Sequence, residues 1–244
     1  MKQLTVFIGY DPREQDAYAV AEDSLKRRAT MDIDVRPIGL EQLNLLADRP
    51  IERRDGQLWC PISGAPMSTE FAIARFAVPL LCRTPWAVFM DCDMLVRADI
   101  RELLNLRDSR CAVQVVKHKH EAVAGTKMDG QVQTVYARKN WSSVILWNMA
   151  HPTNARYSLV KLMAWPGRDL HAFKWLSDHE IGELPGEWNH LIGVNPCNPA
   201  AKIAHFTLGI PSMRGYENSE FADEWREALK LAGTPHHTLQ NAKL

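Results

Sequence analysis

The stretch Val88-Phe89-Met90-Asp91-Cys92-Asp93-Met94-Leu95-Val96 sets the tightest limit on how this chain folds. An apolar, strand-like run carries two acids placed two residues apart. Charge this close to a core strand is costly unless it is paired or bound to a cation. Side chains alternate faces along a strand, so Asp91 and Asp93 fall on one side and Cys92 on the other. Two convergent carboxylates at the mouth of a buried strand suit a hard divalent cation, manganese or magnesium, that shares its shell with substrate phosphates. The bland reading of the same residues is a strand that ends in two solvated aspartates at a turn.

The rest of the composition narrows the classes. The chain has 244 residues, enough for one large α/β domain with a small appendage. Its 29 basic and 29 acidic residues cancel, and a nucleic-acid reader usually carries a basic excess. No apolar run approaches the ~20 residues of a membrane span. The apolar part of the N-terminus is too short for a signal peptide and reads as a first strand. Cys60, Cys82, Cys92, Cys111 and Cys197 are scattered and odd in number, with no C-x-x-C, so neither a disulfide framework nor a zinc ribbon is expected. A cytoplasmic, reducing setting is the default expectation.

Leu4 to Tyr10 is an apolar run followed by Asp11-Pro12, which reads as a helix cap and first helical residue. Ala17, Val20, Ala21 and Leu25 then recur at helical spacing. Strand, tight turn and helix open a Rossmann-like unit, whose ligands bind at the carboxyl ends of strands. Gly9, Tyr10 and Asp11 lie at that end; capping and nucleotide contact are both open for Asp11. There is no G-x-G-x-x-G. Ile33 to Ile38 reads as a second strand and Leu40 to Leu46 as a short helix. Residues 48–66 carry loop chemistry, Asp55-Gly56 and three prolines, over a length expected of a functional or mobile segment.

The spacing of Phe71, Ala74, Val78 and Leu81 predicts a helix over 69–81, with Arg75 beside its apolar stripe and able to reach the acids. A surface ion pair is the alternative for Arg75. Cys111 to Val116 reads as a strand that delivers Lys117-His118-Lys119-His120, either a solvated basic loop or a contact for phosphate or sugar. Two histidines two apart lack a nearby carboxylate or thiol to complete a zinc set. Gly125 to Gln131 reads as a loop. Arg138 to Ser143 feeds polar residues directly into the buried strand Val144–Asn148, a cluster suited to recognising hydroxyls, with Trp141 as a flat face for a sugar ring. Residues 153–164 read as a helix stopped by Pro166-Gly167. Asp178, His179 and Glu180 then precede a turn around Trp188. His205 ends a last short strand and would complete a two-carboxylate site with an imidazole ligand. A satisfied core histidine is the plainer alternative. Phe221, Trp225 and Leu229 form an i, i+4, i+8 stripe on a final helix, read as docked on the protein, with peripheral membrane contact as the alternative.

The ordered set GYD, MSTEFAIARFAVPLL, VFMDCDMLVRADIRELL, RKNWSSVILWN, LSDHEIGELPGEWNHLIG and HFTLGIPS resembles bacterial glycosyltransferases of the GT-A fold, close to glycosyltransferase family 8. The resemblance implies a Rossmann-like, mostly parallel central sheet flanked by helices, spanning residues 1–216, with a C-terminal helix and tail over 217–244 packed on the same domain. It implies that Asp91 and Asp93 form the family's D-x-D on Mn²⁺, with Mg²⁺ as the alternative, and that His205 is the third ligand. Gly9, Tyr10 and Asp11 would lie near the base, and Arg75 on the donor. Cys92, between the two acids, Lys117 and His118 join them as donor-site candidates. Asn140, Ser142 and Ser143 resemble the polar motif that lines the sugar site. Asp178 and Glu180 match a D-x-[DE] motif beside the reacting sugar. The chain departs from the family at H-x-x-G-x-x-K-P-W: Gly209 is displaced by one, no lysine follows, and Arg214 is the substitute phosphate cation.

The implied reaction moves a sugar from a nucleotide diphosphate, UDP favoured, to a hydroxyl acceptor such as a cell-envelope saccharide, with retention. Asp178 is the best candidate for a nucleophile; a front-side displacement assisted by the departing phosphate is equally open. The alternatives are a nucleotidyltransferase, disfavoured by the lack of a Gly-rich basic loop after the first strand, and a non-catalytic glycan-binding module on the same fold. A zinc hydrolase built on His118 and His120 is more remote.

Overall fold

The computed structural model describes residues 4–119 and 138–233; the loop expected over Gly125–Gln131, His120 and the tail beyond 233 lie outside them. The chain opens with β1 (Leu4–Gly9), α1 (Gln15–Arg28) and β2 (Ile33–Ile38), with β1 and β2 parallel. Every residue of β1 is buried, as a strand covered on both faces requires. Helix α1 starts at Gln15, with Glu14 at the cap position, and not at Pro12. Asp11 does not cap it: its carboxylate turns inward to Arg13 and to the Glu70 N–H.

Residues 48–66 are not a plain loop. They fold into the antiparallel meander β3 (Glu52–Arg54), β4 (Gln57–Cys60) and β5 (Ala65–Met67). Asp55 (φ 49°) and Gly56 (φ 82°) both take left-handed backbone, the condition for a two-residue hairpin turn. The helix expected over Leu40–Leu46 is only a 3-10 turn at Asn44–Leu46. The single helix expected over 69–81 is also broken, into a 3-10 turn (Ala74–Ala77) and one turn of helix, α2 (Val78–Leu81). Pro79 has no N–H to continue a helical ladder from the preceding turn, and it sits instead in the first turn of α2, where that N–H is not needed.

Next come β6 (Trp86–Met90), β7 (Met94–Val96), α3 (Ile100–Asn105), β8 (Val113–Val115) and β9 (Val144–Asn148). The helix expected over 153–164 is two short ones, α4 (Pro152–Ala155) and α5 (Leu159–Ala164), separated where Tyr157 turns into the core. Pro166-Gly167, expected as a stop, also opens α6 (Gly167–His171), since proline suits a helix start as well as an end. The chain closes with β10 (Ile181–Glu183), β11 (His190–Leu191), β12 (Ile203–His205) and α7 (Ala222–Ala232).

Six strands form the central sheet in the order β10-β8-β9-β6-β1-β2. β2, β1 and β6 run parallel, and β9 is antiparallel to both β6 and β8. β10 is parallel to β8, so β9 alone runs against the rest. A second sheet, β11-β12-β7, has β12 antiparallel to β7 with His205 opposite Met94. The Asp91-Cys92-Asp93 link therefore carries the chain from one sheet to the other. α7 packs on α1 and buries Trp225 (1% exposed) along with Ala222 and Ala228; of the other two residues of the expected stripe, Phe221 precedes the helix in left-handed backbone and Leu229 is half-buried. All five cysteines are free. Among the described residues, no helix is long and apolar enough to cross a membrane.

Candidate functional site

Both sides of the Asp91-Cys92-Asp93 turn are pinned through the backbone. The Asp91 N–H donates to the Ser143 carbonyl at 2.9 Å, and the Phe206 N–H donates to the Asp93 carbonyl at 2.8 Å. The antiparallel β7–β12 register then sets His205 beside Asp93, with Nε2 3.2 Å from Oδ1. One ligand atom from each of Asp91, Asp93 and His205 lies within 4.8 Å of the other two. No other trio of His, Cys, Asp or Glu donors converges in this way among the described residues. Two carboxylate oxygens and one imidazole nitrogen fit manganese or magnesium better than a thiolate-seeking metal.

This trio forms one wall of a cavity of about 260 Å³. Arg75, Ser142, Ser143 and His171 line it as well, and the β4–β5 turn and the chain that follows it, residues 63–69, supply the facing wall. Arg75 is buried, donates to the Ser142 carbonyl at 2.8 Å and sits 2.8 Å from Asp91 Oδ1. Its guanidinium lies against the rings of Phe71 and Phe89, 5.3 and 4.9 Å from their centroids. His171 Nδ1 lies 2.7 Å from Ser142 Oγ. Burial, and then the neighbouring Arg75 charge, push His171 well below the usual imidazole range, so the ring is neutral at pH 7.

The remaining candidates divide between this wall and elsewhere. Asn140 lines the cavity; its backbone is left-handed (φ 62°). Gly9 lies under the Phe71 ring, where a Cβ would come within 2.5 Å of it. Tyr10 packs edge-on against Tyr18 at 5.3 Å, and burial raises its pKa. Burial works against the Asp11 charge, but the Arg13 side chain and the Arg13 and Glu70 N–H groups outweigh it and hold the carboxyl below its usual range. The Cys92 thiol is buried and donates to Glu14 Oε2 at 3.0 Å; burial and then Glu14 raise it well above an ordinary thiol. Glu14, not Cys92, lines the cavity.

Lys117 lies over the Trp141 ring at 5.7 Å, and the His118 carbonyl accepts from Trp141 Nε1 at 3.0 Å. Both are attached to the back of the polar motif. Gly209 packs against the Tyr216 ring, and Arg214 is exposed on the loop after β12. Asp178 and Glu180 do not line the cavity. The Asp178 side chain is 88% exposed and pairs with Arg138 at 2.5 Å. Glu180 closes a capping box with Ser177 and accepts from Thr153 at 2.5 Å. Burial raises its pKa, but these hydrogen bonds prevail and hold it at about 2.

Sequence reasoning passed over the lining residues Glu14, Arg168 and His171, and did not single out Lys139 within the polar cluster 138–143. No motif spacing marks them; only the tertiary fold gathers them.

The sheet order, the cross-sheet acid turn and the cavity above it define a GT-A-type glycosyltransferase fold. The bifunctional glycosyltransferase WbbM superposes with a TM-score of 0.63 at 20% identity, over 96% of this chain and 50% of that one, so this chain spans about half of its length. GlyE of Streptococcus pneumoniae TIGR4 gives 0.61 at 16%, over 94% and 60%. The galactosyltransferase LgtC, in complex with donor and acceptor sugar analogs, gives 0.59 at 14%, over 94% and 96%. No protein-family model matches the chain. Protein CDI of Arabidopsis thaliana is 41% identical over 235 residues, 94% of this chain and 87% of that protein, and the chain belongs to its family.

Proposed function

We propose that the protein is a metal-dependent glycosyltransferase, related to family 8, that moves a sugar from a nucleotide-diphosphate donor to a hydroxyl acceptor. The observation that carries this reading is the convergence of Asp91, Asp93 and His205 on one wall of the cavity. Those three residues would hold Mn²⁺, or Mg²⁺. When bound, the ion supplies Lewis-acid stabilisation of charge on the leaving diphosphate. UDP is the favoured nucleotide. Lys139 and Arg168, on the same cavity wall, give the diphosphate the positive charge that the absent motif lysine would have supplied; Arg214 lies off that wall. Ser142, Ser143 and the neutral His171 line the same space and give it a polar surface that suits sugar hydroxyls.

Among the described cavity residues the carboxylates are Glu14, Asp91 and Asp93. With Asp178 at the surface, retention would proceed by front-side displacement, in which the departing phosphate accepts the acceptor's proton. The five unpaired cysteines fit a reducing compartment. The test is a panel of nucleotide sugars with Mn²⁺, scored for thermal stabilisation and for slow donor hydrolysis. At least one donor should be stabilising and be cleaved, and the Asp91→Asn/Asp93→Asn variant should lose the metal-dependent part of both signals. Full hydrolysis by that variant would end the reading.

A further inference from the structure

Resting on that reading, we propose that Asn189 is a positioning residue that decides which nitrogen of His205 faces the acid pair. Asn189 is fully buried at the end of a 3-10 turn (Gly186–Asn189), just ahead of β11, beside the buried Trp188. The two ends of its amide are alike in shape and opposite in hydrogen bonding, so the partners decide its orientation. One end lies 3.2 Å from the Asn140 carbonyl, which can only accept. The same end lies 2.8 Å from Ser143 Oγ, and that hydroxyl gives its hydrogen to the Asn140 carbonyl at 2.7 Å. Both neighbours demand a donor, so the amide nitrogen faces them.

The amide oxygen is then left facing His205 Nδ1 at 2.9 Å. An oxygen there accepts only from an N–H, so Nδ1 carries a proton, and in the neutral ring the lone pair then falls to Nε2. Nε2 is the nitrogen beside Asp93. A histidine binds a cation through an unprotonated nitrogen, and the bond made by its other nitrogen selects which one that is. Without a partner at Nδ1, the proton redistributes to Nε2 and blocks the face turned to the acids. The chain Asn140–Ser143–Asn189–His205 thus sets the third ligand before any ion arrives.

The test uses the full-length protein and two readings. Two-bond proton–nitrogen NMR of the metal-free protein, followed up to pH 9, identifies the His205 nitrogen that keeps its proton. Titration with Mn²⁺, read by electron paramagnetic resonance, gives the affinity. The parent should retain the proton on Nδ1. Asn189→Leu should move it to Nε2 and weaken Mn²⁺ binding by about 10- to 100-fold, the usual cost of losing a ligand's supporting partner. Asn189→Asp keeps an acceptor at Nδ1; the Ser143 hydroxyl can turn toward its second oxygen, and the Asn140 carbonyl, left without that donor, lowers stability without moving the His205 proton. It should retain the parent proton position and bind Mn²⁺ within about threefold of the parent. A residue that only supports the fold would lower stability in both variants and move neither reading. A parent that keeps the proton on Nε2, or an Asn189→Leu protein with the parent's proton position and affinity, would overturn the proposal. A parent that binds no Mn²⁺ removes the metal reading instead, and the proton position still judges Asn189.

Discussion

Replacing Arg75 with Met tests whether the site is held together by charge. The substitution keeps an unbranched apolar side chain and removes the guanidinium that lies against Phe71 and Phe89 and meets Asp91 at 2.8 Å and the Ser142 carbonyl at 2.8 Å. Breaking a buried ion pair from one side costs about 3–5 kcal/mol. The Asp91 side chain is 15% exposed against 7% for Arg75, so water recovers part of that for the carboxylate. The orphaned carbonyl adds about 1 kcal/mol. The net expectation is about 3 kcal/mol. For a chain of this length that is a fall in Tm of about 6–12 °C, read by calorimetry without added metal. Saturating Mn²⁺ should narrow the gap, because the ion replaces the lost positive charge beside Asp91. A variant within about 2 °C of the parent would mean that Asp91 is solvated and the pair contributes nothing. A gap untouched by Mn²⁺ would mean that Asp91 does not hold the ion.

Two further outcomes follow from the same geometry. The folded pKa of Asp11 is lowered, so its stabilisation is fully present above the unfolded value of about 3.9 and fades as pH falls through the lower folded one. Asp11→Asn should therefore cost about 1–3 kcal/mol at pH 7 and progressively less below pH 4; urea unfolding across that range checks it, and a pH-independent difference would refute it. Trp225→Ala should cost about 3–5 kcal/mol and keep a single unfolding transition, since α7 is packed into the same core as α1; a separate low-temperature transition would make α7 its own unit.

The elements legible in the sequence are those whose signal is local. β1, β6 and β9 are near-continuous apolar runs because both faces of the sheet are covered, β2 at the sheet edge alternates apolar and polar residues, and α7 buries one face. The helix over 69–81 failed because apolar spacing alone does not register that Pro79 lacks an N–H. The meander over 52–67 was hidden by its turn residues, read as loop when Asp55-Gly56 is also the strongest hairpin signal. At the site, Asp91 and Asp93 announce themselves because acids are unusual beside a core strand. Asp178 and Glu180 were singled out by motif likeness; in the structure Asp178 pairs with Arg138 and Glu180 with Ser177 and Thr153, and neither is among the described residues that line the cavity. His171 and Asn189 carry no sequence signal at all: a lone imidazole and a lone amide acquire roles only through neighbours far along the chain.

The turn over residues 140–143 explains why a polar cluster stands at the mouth of a buried strand. Backbone carbonyls in such a place must find donors, and here the donors are the site itself. The Ser142 carbonyl takes Arg75, the Ser143 carbonyl takes the Asp91 N–H, and the Asn140 carbonyl takes Ser143 Oγ and the Asn189 amide. Ser142 Oγ meets His171. Arg75, Asp91 and the Asn189 amide that meets His205 are thus referenced to one short stretch of chain, and errors in their relative position are those of a single turn. Its geometry depends on the left-handed backbone at Asn140, a conformation that asparagine adopts far more readily than a β-branched residue. A β-branched residue there would rotate the carbonyl away from Asn189 and disturb His205, a side chain it never touches.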